Sequence, residues 1–164
     1  MDNIRSIRLR NELRRLTELS RKSRRFRIVS AYGEPPEAYL LQFDVRTLAK
    51  GMDREVHPYE GKISVQIALP SDYPRVPPIV AILAPLDLFH PNIAGPMVCL
   101  GAHAPTLWLD ETCRRIWELL SYRQYTLGDG LNSEACTWAR LHRELFPTDP
   151  RPFCDRKQFQ IEVW

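Results

Sequence analysis

Two side chains capable of acyl chemistry lie seven residues apart in an apolar, proline-rich segment of the chain. Asn92 ends the run His90-Pro91-Asn92, and Cys99 follows it within residues 85–100, PLDLFHPNIAGPMVCL. The three prolines of this segment fix φ and remove backbone donors, so neither an ordinary helix nor a central strand is expected. We predict a semi-rigid, partly extended segment that holds one amide and one thiol at a fixed separation.

A cysteine in such a segment has several possible roles, of which the plainest is that of a small core hydrophobe. A cysteine hydrolase needs a histidine base, but no histidine stands at a spacing typical of such enzymes. A zinc site is disfavoured because its ligands, His90, Cys99, His103 and Cys113, lack short paired intervals. A thiol–disulfide enzyme is expected to carry CxxC, which the sequence lacks. We therefore expect no metal and no cofactor.

Acyl carriage is a further role that these residues support. In this chemistry Cys99 accepts an acyl group from another thioester and passes it to an amine. The exchange needs no dedicated base, because an ordinary thiol with a pKa of about 8.5 already supplies a few per cent thiolate. When the amine attacks, a nearby carboxamide stabilises the negative charge on the carbonyl oxygen. Asn92 suits this task, although asparagine amides equally often tie down their own loop.

Length and composition predict one globular domain that needs no crosslinks. The chain has 164 residues, of which 44% are apolar and 26% are charged. Its four cysteines are scattered and follow no leader sequence, which predicts a reduced, cytoplasmic setting. We also expect no membrane segment, because no apolar run is long enough to span a bilayer.

Positive charge is concentrated at the start of the chain. Residues 1–27 have a net charge of +7, whereas the remainder has a net charge of −4. Such a basic arm attracts nucleic acid or an acidic protein surface, or it is only a solvated helix face. Nucleic acid is not favoured, because Phe26, Tyr32 and Tyr39 are too few and too strand-bound to form a stacking platform.

Hydrophobic periodicity predicts the elements that would position Asn92 and Cys99. Leucines at helical spacing predict an amphipathic helix over 3–22. Alternating apolar and polar residues predict four strands, at 26–29, 39–45, 62–69 and 79–83. A loop is predicted over 50–61, a glycine-bearing loop over 126–132, and helices over 111–124 and 134–145. This order predicts an α+β fold with an N-terminal helix, a four-stranded antiparallel meander and C-terminal helices.

Several motifs in residues 56–101 occur in a characteristic order. They are HPYEG at 57–61, KISVQIALP at 62–70, SDYPRVPPIV at 71–80, HPNI at 90–93 and VCLG at 98–101. This ordered set resembles the core of the ubiquitin-conjugating enzymes. The similarity continues with Trp108, with the helix over 111–124 and with DGLNSEA at 129–135, and covers roughly residues 3–145.

The resemblance implies the fold of that family and a function. Cys99 would take the C-terminal glycine of a ubiquitin-like protein from an activating enzyme as a thioester, and pass it to an amine-bearing target protein. Asn92 would match the asparagine of the family's HPN motif, and serve either the oxyanion or the loop. Asp129 would be the acidic loop residue that positions or desolvates the amine. His90, Pro91 and Trp108 would be motif residues with a structural role.

Partner binding is also implied by the resemblance. The first helix, with Arg5, Arg8 and Arg15 among its outward charges, would dock on the activating enzyme, and Pro74 and Pro77 would bind partners as well. Electrostatic steering there would speed the encounter more than it tightens the complex.

The implied domain covers residues 1–146, and residues 147–164 form a tail with no counterpart in the family. The tail is predicted to dock on the domain or to bind a partner. This is because Ile161, Val163 and Trp164 would be costly to leave in water.

Some spacings depart from the common family pattern. The interval from HPN to the cysteine is one residue shorter and that from the cysteine to the tryptophan one longer, and GAHAPTL follows the cysteine in place of an acidic-basic stretch. These departures imply a divergent, prokaryotic member whose ubiquitin-like partner need not be ubiquitin, by analogy in anti-phage defence. The alternative is a non-catalytic binding module of the same fold that engages a ubiquitin-like protein or an activating enzyme.

Overall fold

The computed structural model of the chain describes residues 3–155. The elements are α1 (Ile4–Lys22), β1 (Phe26–Gly33), β2 (Pro36–Lys50), β3 (Val56–Ala68), β4 (Ile79–Ala84), β5 (Ile93–Ala94), β6 (Met97–Val98), α2 (Leu109–Leu120), α3 (Ser133–Leu141) and a 3₁₀ turn (Arg143–Leu145). The strands form one antiparallel sheet in the order β1-β2-β3-β4-β6-β5. The predicted α+β class and the N-terminal helix are confirmed.

The core lies on one face of the sheet, as the alternation of apolar residues predicts. On β2, Tyr39, Leu41, Phe43 and Val45 are fully buried, and the intervening side chains lie on the opposite face. Strand β3 buries a matching row. Helix α1 covers this face with its buried leucines and also contacts α2. The burial of these two rows stabilises the part of the sheet formed by β2 and β3.

The prediction of four strands is wrong, because the sheet has six. The first four strands form the expected meander, and the two added strands are only two residues long each. They lie within the segment predicted to be partly extended and join the sheet through one pair, Ala81 with Met97. Strands this short are stabilised by their neighbours, and periodicity over two residues cannot reveal them.

The predicted loop over 50–61 is also wrong, because β3 already begins at Val56 and pairs with β2 along its whole length. Pro58 and Gly61 made this part of the sequence look like a loop. Strand β4 pairs with β3 only from Ser64 onward, so Pro58 lies where β3 is an edge strand. A proline is tolerated at such an edge because no partner needs its missing N–H.

The helices differ from the predicted bounds mainly at their ends. Asn3 caps α1, since its side chain accepts from the Ser6 N–H at 2.7 Å, while Asp2 lies outside the described residues. Helix α2 starts two residues earlier than predicted, where the Glu111 side chain accepts from the Trp108 N–H at 2.8 Å. Within residues 3–155, no helix is both long and apolar enough to cross a membrane.

Residues 147–155 lie against the body of the protein. Phe153 is buried, and its ring stacks on Trp117 and Phe43 with centroid separations of 5.3 and 6.2 Å. Asp149 is also buried and is paired with Arg151. The tail residues predicted to dock, Ile161, Val163 and Trp164, lie outside the described residues.

Candidate active site

The hairpin of β5 and β6 brings Cys99 next to Asn92. The two strands pair around a tight turn at Gly95, whose φ of 56° lies in the left-handed region that glycine tolerates. The residues flanking the hairpin are then opposite each other, and the Cys99 N–H donates to the Asn92 carbonyl oxygen at 2.9 Å. The hairpin therefore closes the seven-residue interval between the amide-bearing and thiol-bearing residues.

The side-chain amide of Asn92 mainly holds the loop at residue 126. Its Oδ1 accepts from the Thr126 N–H at 2.9 Å, and its Nδ2 donates to Thr126 Oγ1 at 3.0 Å. The Nδ2 also approaches the Cys99 carbonyl oxygen at 3.4 Å, which is a long and weak contact. Among the three contacts of this amide, the one to Cys99 is the longest. The Nδ2 N–H that makes it is therefore the donor most easily released to an oxyanion beside Cys99.

His90 is buried beneath the turn that carries Asn92. Its Nδ1 accepts from the Asn92 N–H at 2.9 Å, and its ring centroid lies 4.3 Å from that of Tyr122. Burial lowers the pKa of His90 to about 3, and the backbone of Leu119 offsets this effect only in part. His90 therefore stays neutral near pH 7, and it holds the turn through the Asn92 N–H.

The neutral, buried imidazole of His90 predicts a loss of stability in mild acid. The unfolded chain takes up a proton at His90 as the pH drops below about 6.5, whereas the folded chain does so only near its pKa of about 3. The free energy of unfolding is therefore expected to fall through this window, by about 1.4 kcal/mol per pH unit. Urea unfolding at about pH 7, 6 and 5, where most carboxylates stay ionised, measures this slope.

The His90→Gln variant is expected to flatten the slope, because an amide does not titrate and can still accept from the Asn92 N–H. Tyr122 does not interfere, since burial raises its pKa and keeps it neutral. His57→Gln is the matched control, because the His57 side chain is 53% exposed. A slope that is the same in His90→Gln as in the parent chain would contradict this account.

Cys99 is exposed and lies where two open clefts meet. Both clefts are lined by Cys99, Leu100, Gly101 and Arg115. The first, called here the proline-side cleft, has a volume of about 260 Å³ and is otherwise lined by Pro77, Pro78, Val80, Val98, Ala102, His103, Leu107 and Thr112. The second, the amide-side cleft, has a volume of about 240 Å³ and is otherwise lined by Asn92, Leu119, Gln124, Tyr125 and Thr126. Two reactants can therefore approach the thiol from different sides.

The loop that carries Asp129 is fastened to the turn before Cys99. The Asn132 N–H donates to the Pro91 carbonyl oxygen at 3.1 Å. Gly130 lies so close to the turn that an added Cβ would be 2.7 Å from the same oxygen. Asp129 itself is exposed and is not among the residues that line the two clefts. The structure thus brings the loop that carries Asp129 to the turn that carries Asn92.

The expectation that Arg5, Arg8 and Arg15 point outward from α1 is wrong, because each has partners within the protein. Arg5 donates to the Pro70 carbonyl oxygen at 3.2 Å and forms an ion pair with Glu37. These contacts join the start of α1 to the loop after β3. Whether the three residues also bind a partner stays a prediction.

Trp108 contacts the guanidinium groups of both Arg8 and Arg15. The guanidinium carbon of Arg8 lies 3.8 Å from the centroid of the Trp108 ring, and that of Arg15 lies 4.8 Å from it. Arg8 also pairs with the buried Glu12 at 2.7 Å, and Arg15 makes two hydrogen bonds to Asp110. These contacts fasten α1 to α2. Exposed basic residues of this region are instead Arg10, Arg14, Arg21, Arg24 and Arg27.

The two predicted partner-binding prolines lie on one side of the site. Pro77 lines the proline-side cleft directly. Pro74 is half-buried, and its carbonyl oxygen lies 2.8 Å from Nε2 of His103, which lines the same cleft. The YPRVPP loop therefore forms one wall of the cleft that leads to Cys99.

The other cysteines differ from Cys99 in exposure. Cys113 and Cys136 are buried in α2 and α3, and burial raises the pKa of the Cys113 thiol well above its usual value. Cys154 is half-buried. Among residues 3–155, no group of three or more His, Cys, Asp or Glu side chains is placed to hold a metal ion. Among the four cysteines, Cys99 is thus the most accessible nucleophile.

Two residues of the site were missed by sequence reasoning, namely Thr126 and Arg115. Thr126 is the partner of the Asn92 amide, and Arg115 lines both clefts beside Cys99. Thr126 is the first residue of the predicted glycine-bearing loop. The sequence therefore placed Thr126 in a loop, but it did not indicate that Thr126 would bind the Asn92 amide. Arg115 carries no such signal, because it is one of several charged residues on the polar face of α2.

A scan against models of known protein families finds no match to this chain, and a comparison with curated proteins finds no match either.

Proposed function

We propose that this chain is an acyl carrier with the fold of the ubiquitin-conjugating enzymes. In this proposal, Cys99 accepts the C-terminus of a ubiquitin-like protein from an activating enzyme as a thioester and transfers it to an amine. The observation that carries the proposal is the position of Cys99. All four cysteines are among the described residues, and only Cys99 is both exposed and located where two clefts meet.

The first step is a thiol exchange. The Cys99 thiolate attacks the carbonyl carbon of the carrier's thioester on the activating enzyme, and the bond from that carbon to the enzyme's sulfur breaks as the bond to Cys99 Sγ forms. The proton lost by Cys99 balances the proton gained by the departing thiolate. One thioester replaces another, so the step requires no change of oxidation state and little driving force.

The second step is attack by an amine on the Cys99 thioester. The carbonyl oxygen gains negative charge, and the Nδ2 of Asn92 can stabilise it by exchanging its 3.4 Å contact with the Cys99 carbonyl oxygen for the oxyanion. As the intermediate collapses, the bond to Cys99 Sγ breaks, an amide forms and the proton of the amine passes to the thiolate. Asp129, on the loop beside this turn, is the candidate group to position the amine.

The architecture supports the same proposal. The N-terminal helix, the meander of four long strands and the two later helices follow the order that the motif resemblance implies. The HPN segment and the cysteine lie at the two ends of one hairpin, so the two motifs that carry the proposed chemistry are neighbours in the fold.

A charging assay tests the proposal. Adenylating enzymes and β-grasp proteins encoded in the source genome are incubated in pairs with this chain and ATP, and the products are separated with and without reducing agent. We expect one pair to give an adduct of this chain with the β-grasp protein that a thiol destroys. Mapping by mass spectrometry is expected to place the bond at Cys99.

The binding-module alternative gives a different result in the same assay. A pair that co-elutes with this chain on gel filtration but forms no thiol-sensitive adduct would favour that alternative. An adduct that persists in Cys99→Ala would contradict the proposed role of Cys99.

A further inference from the structure

The two clefts together form one groove around Cys99. Arg115 is the positively charged residue of this groove. Its side chain is half-buried and lines both clefts, as Cys99 does. Its Nη1 donates to the Ala102 carbonyl oxygen at 2.8 Å, which holds the guanidinium against the loop that follows Cys99. Within residues 3–155, no carboxylate forms an ion pair with Arg115. Most of its five N–H donors are therefore available to a ligand in the groove.

Carboxylates are absent from the walls of this groove. Among the described residues that line the two clefts, none is Asp or Glu, and the other ionisable side chains are the Cys99 thiol, His103 and Tyr125. Of the three acidic residues of α2, Glu111 caps the helix, Asp110 pairs with Arg15, and Glu118 lines a different cleft. The groove thus presents one positive charge that no neighbouring wall compensates.

We infer that this groove selects an acyl tail that carries an acidic residue shortly before its C-terminal glycine. The inference rests on the proposed function and specifies the class of ubiquitin-like protein that it would use. A carboxylate that enters the groove gains charge-assisted hydrogen bonds to Arg115, whereas a lysine or arginine side chain is repelled by it. The apolar walls at Pro77, Val80 and Leu107 favour an apolar residue next to the acidic one.

Short synthetic peptide thioesters ending in Gly-Gly test this inference without an activating enzyme. The Cys99 thiolate displaces a small thiol from the peptide's carbonyl carbon, and intact-mass spectrometry follows the gain of the peptide. The residues just before Gly-Gly are replaced one at a time by Glu, Gln or Lys. At one of these positions we expect Glu peptides to load about fivefold faster than Lys peptides, with a difference that shrinks as salt is added.

Variants of two neighbouring arginines test whether Arg115 causes the preference for Glu peptides over Lys peptides. Arg115→Gln is expected to abolish the preference and Arg115→Glu to reverse it. Arg114→Gln is the matched control, because Arg114 is exposed on the same helix and lines clefts that do not include Cys99. The readout is the ratio of Glu to Lys loading within each protein, so a change in the reactivity of Cys99 itself, which the rate of alkylation by iodoacetamide measures, cancels from the comparison.

The outcomes separate this inference from the proposed function. Equal loading of Glu and Lys peptides, a preference for Lys, or a preference that persists in Arg115→Gln overturns the inference and leaves acyl loading of Cys99 in place. If no peptide forms a thioester at Cys99 although iodoacetamide alkylates it, the proposed function fails, and the inference fails with it.

Discussion

Replacing Cys99 by serine is expected to convert a thiol-labile adduct into one that survives reducing agent. The serine hydroxyl occupies the same place between the two clefts, so it can still receive the acyl group, but the product is an oxyester. A serine hydroxyl is a weaker nucleophile than a thiol, so charging is slow, and an oxyester is less reactive than a thioester toward amines, so the adduct accumulates. The Cys99→Ala variant, which has no nucleophile there, is expected to form no adduct. Gels run with and without reducing agent distinguish the three proteins.

Cys154→Ser is the matched control for this experiment. Among the other cysteines it is the half-buried one, whereas Cys113 and Cys136 are buried. Charging of Cys154→Ser should equal that of the parent chain. If Cys99→Ser still gave a thiol-labile adduct, another cysteine would be the acceptor.

Replacing Asn92 by alanine is expected to slow transfer to lysine by about 10²–10³-fold while charging stays intact. Both steps build negative charge on the carbonyl oxygen, but the exchange of one thiolate for another has the lower barrier, so we expect only transfer to the amine to depend strongly on the amide donor. Single-turnover experiments measure the two steps separately, first by loading Cys99 and then by adding free lysine. The expected result is a change in the second rate only.

Two further variants separate oxyanion stabilisation from support of the loop. Asn92→Asp keeps an acceptor for the Thr126 N–H but removes the Nδ2 donor, so transfer should be slow as in Asn92→Ala. Thr126→Val removes only the acceptor of the Nδ2 bond and keeps the Thr126 N–H. It should transfer at nearly the parent rate. Equal losses of charging and transfer in Asn92→Ala, reproduced by Thr126→Val, would show that the amide only holds the loop.

The parts of the fold that could be predicted are those set by local patterns. The alternation from Tyr39 to Val45 predicts a half-buried strand, and each of its inward residues is buried. The spacing of Leu9, Leu13 and Leu16 likewise predicts the stripe of α1 that faces the core, in which Leu9 and Leu16 are buried and Leu13 is half-buried. In both cases one side of a regular element faces the core, and the sequence repeats with the period of that element.

The parts that could not be predicted depend on partners far along the chain. Arg8 and Arg15 were expected to be outward charges because a helix pattern assigns polar residues to solvent by default. Their partners, Trp108 and Asp110, belong to a helix that only the tertiary fold brings near. The same holds for β5 and β6, which exist because Ala81 offers them a neighbour.

The site divides in the same way. Cys99 and Asn92 could be identified from residue type, spacing and motif, since both lie in one short segment. Thr126, the partner of Asn92, is 34 residues away, beyond the hairpin and α2, and no pattern in the chain between them predicts the contact. The candidate residues and the chemistry proposed for them therefore come from the sequence, whereas the walls of the groove required the structure.

The stacking of Phe153 on Trp117 and Phe43 has a consequence for synthesis on the ribosome. The sheet and both long helices are translated before this ring exists, so until then the faces of Trp117 and Phe43 that it covers lack this partner. Chaperones that recognise exposed apolar surface would meet this chain at that stage. A chain that ends before residue 153 would therefore keep this apolar surface uncovered.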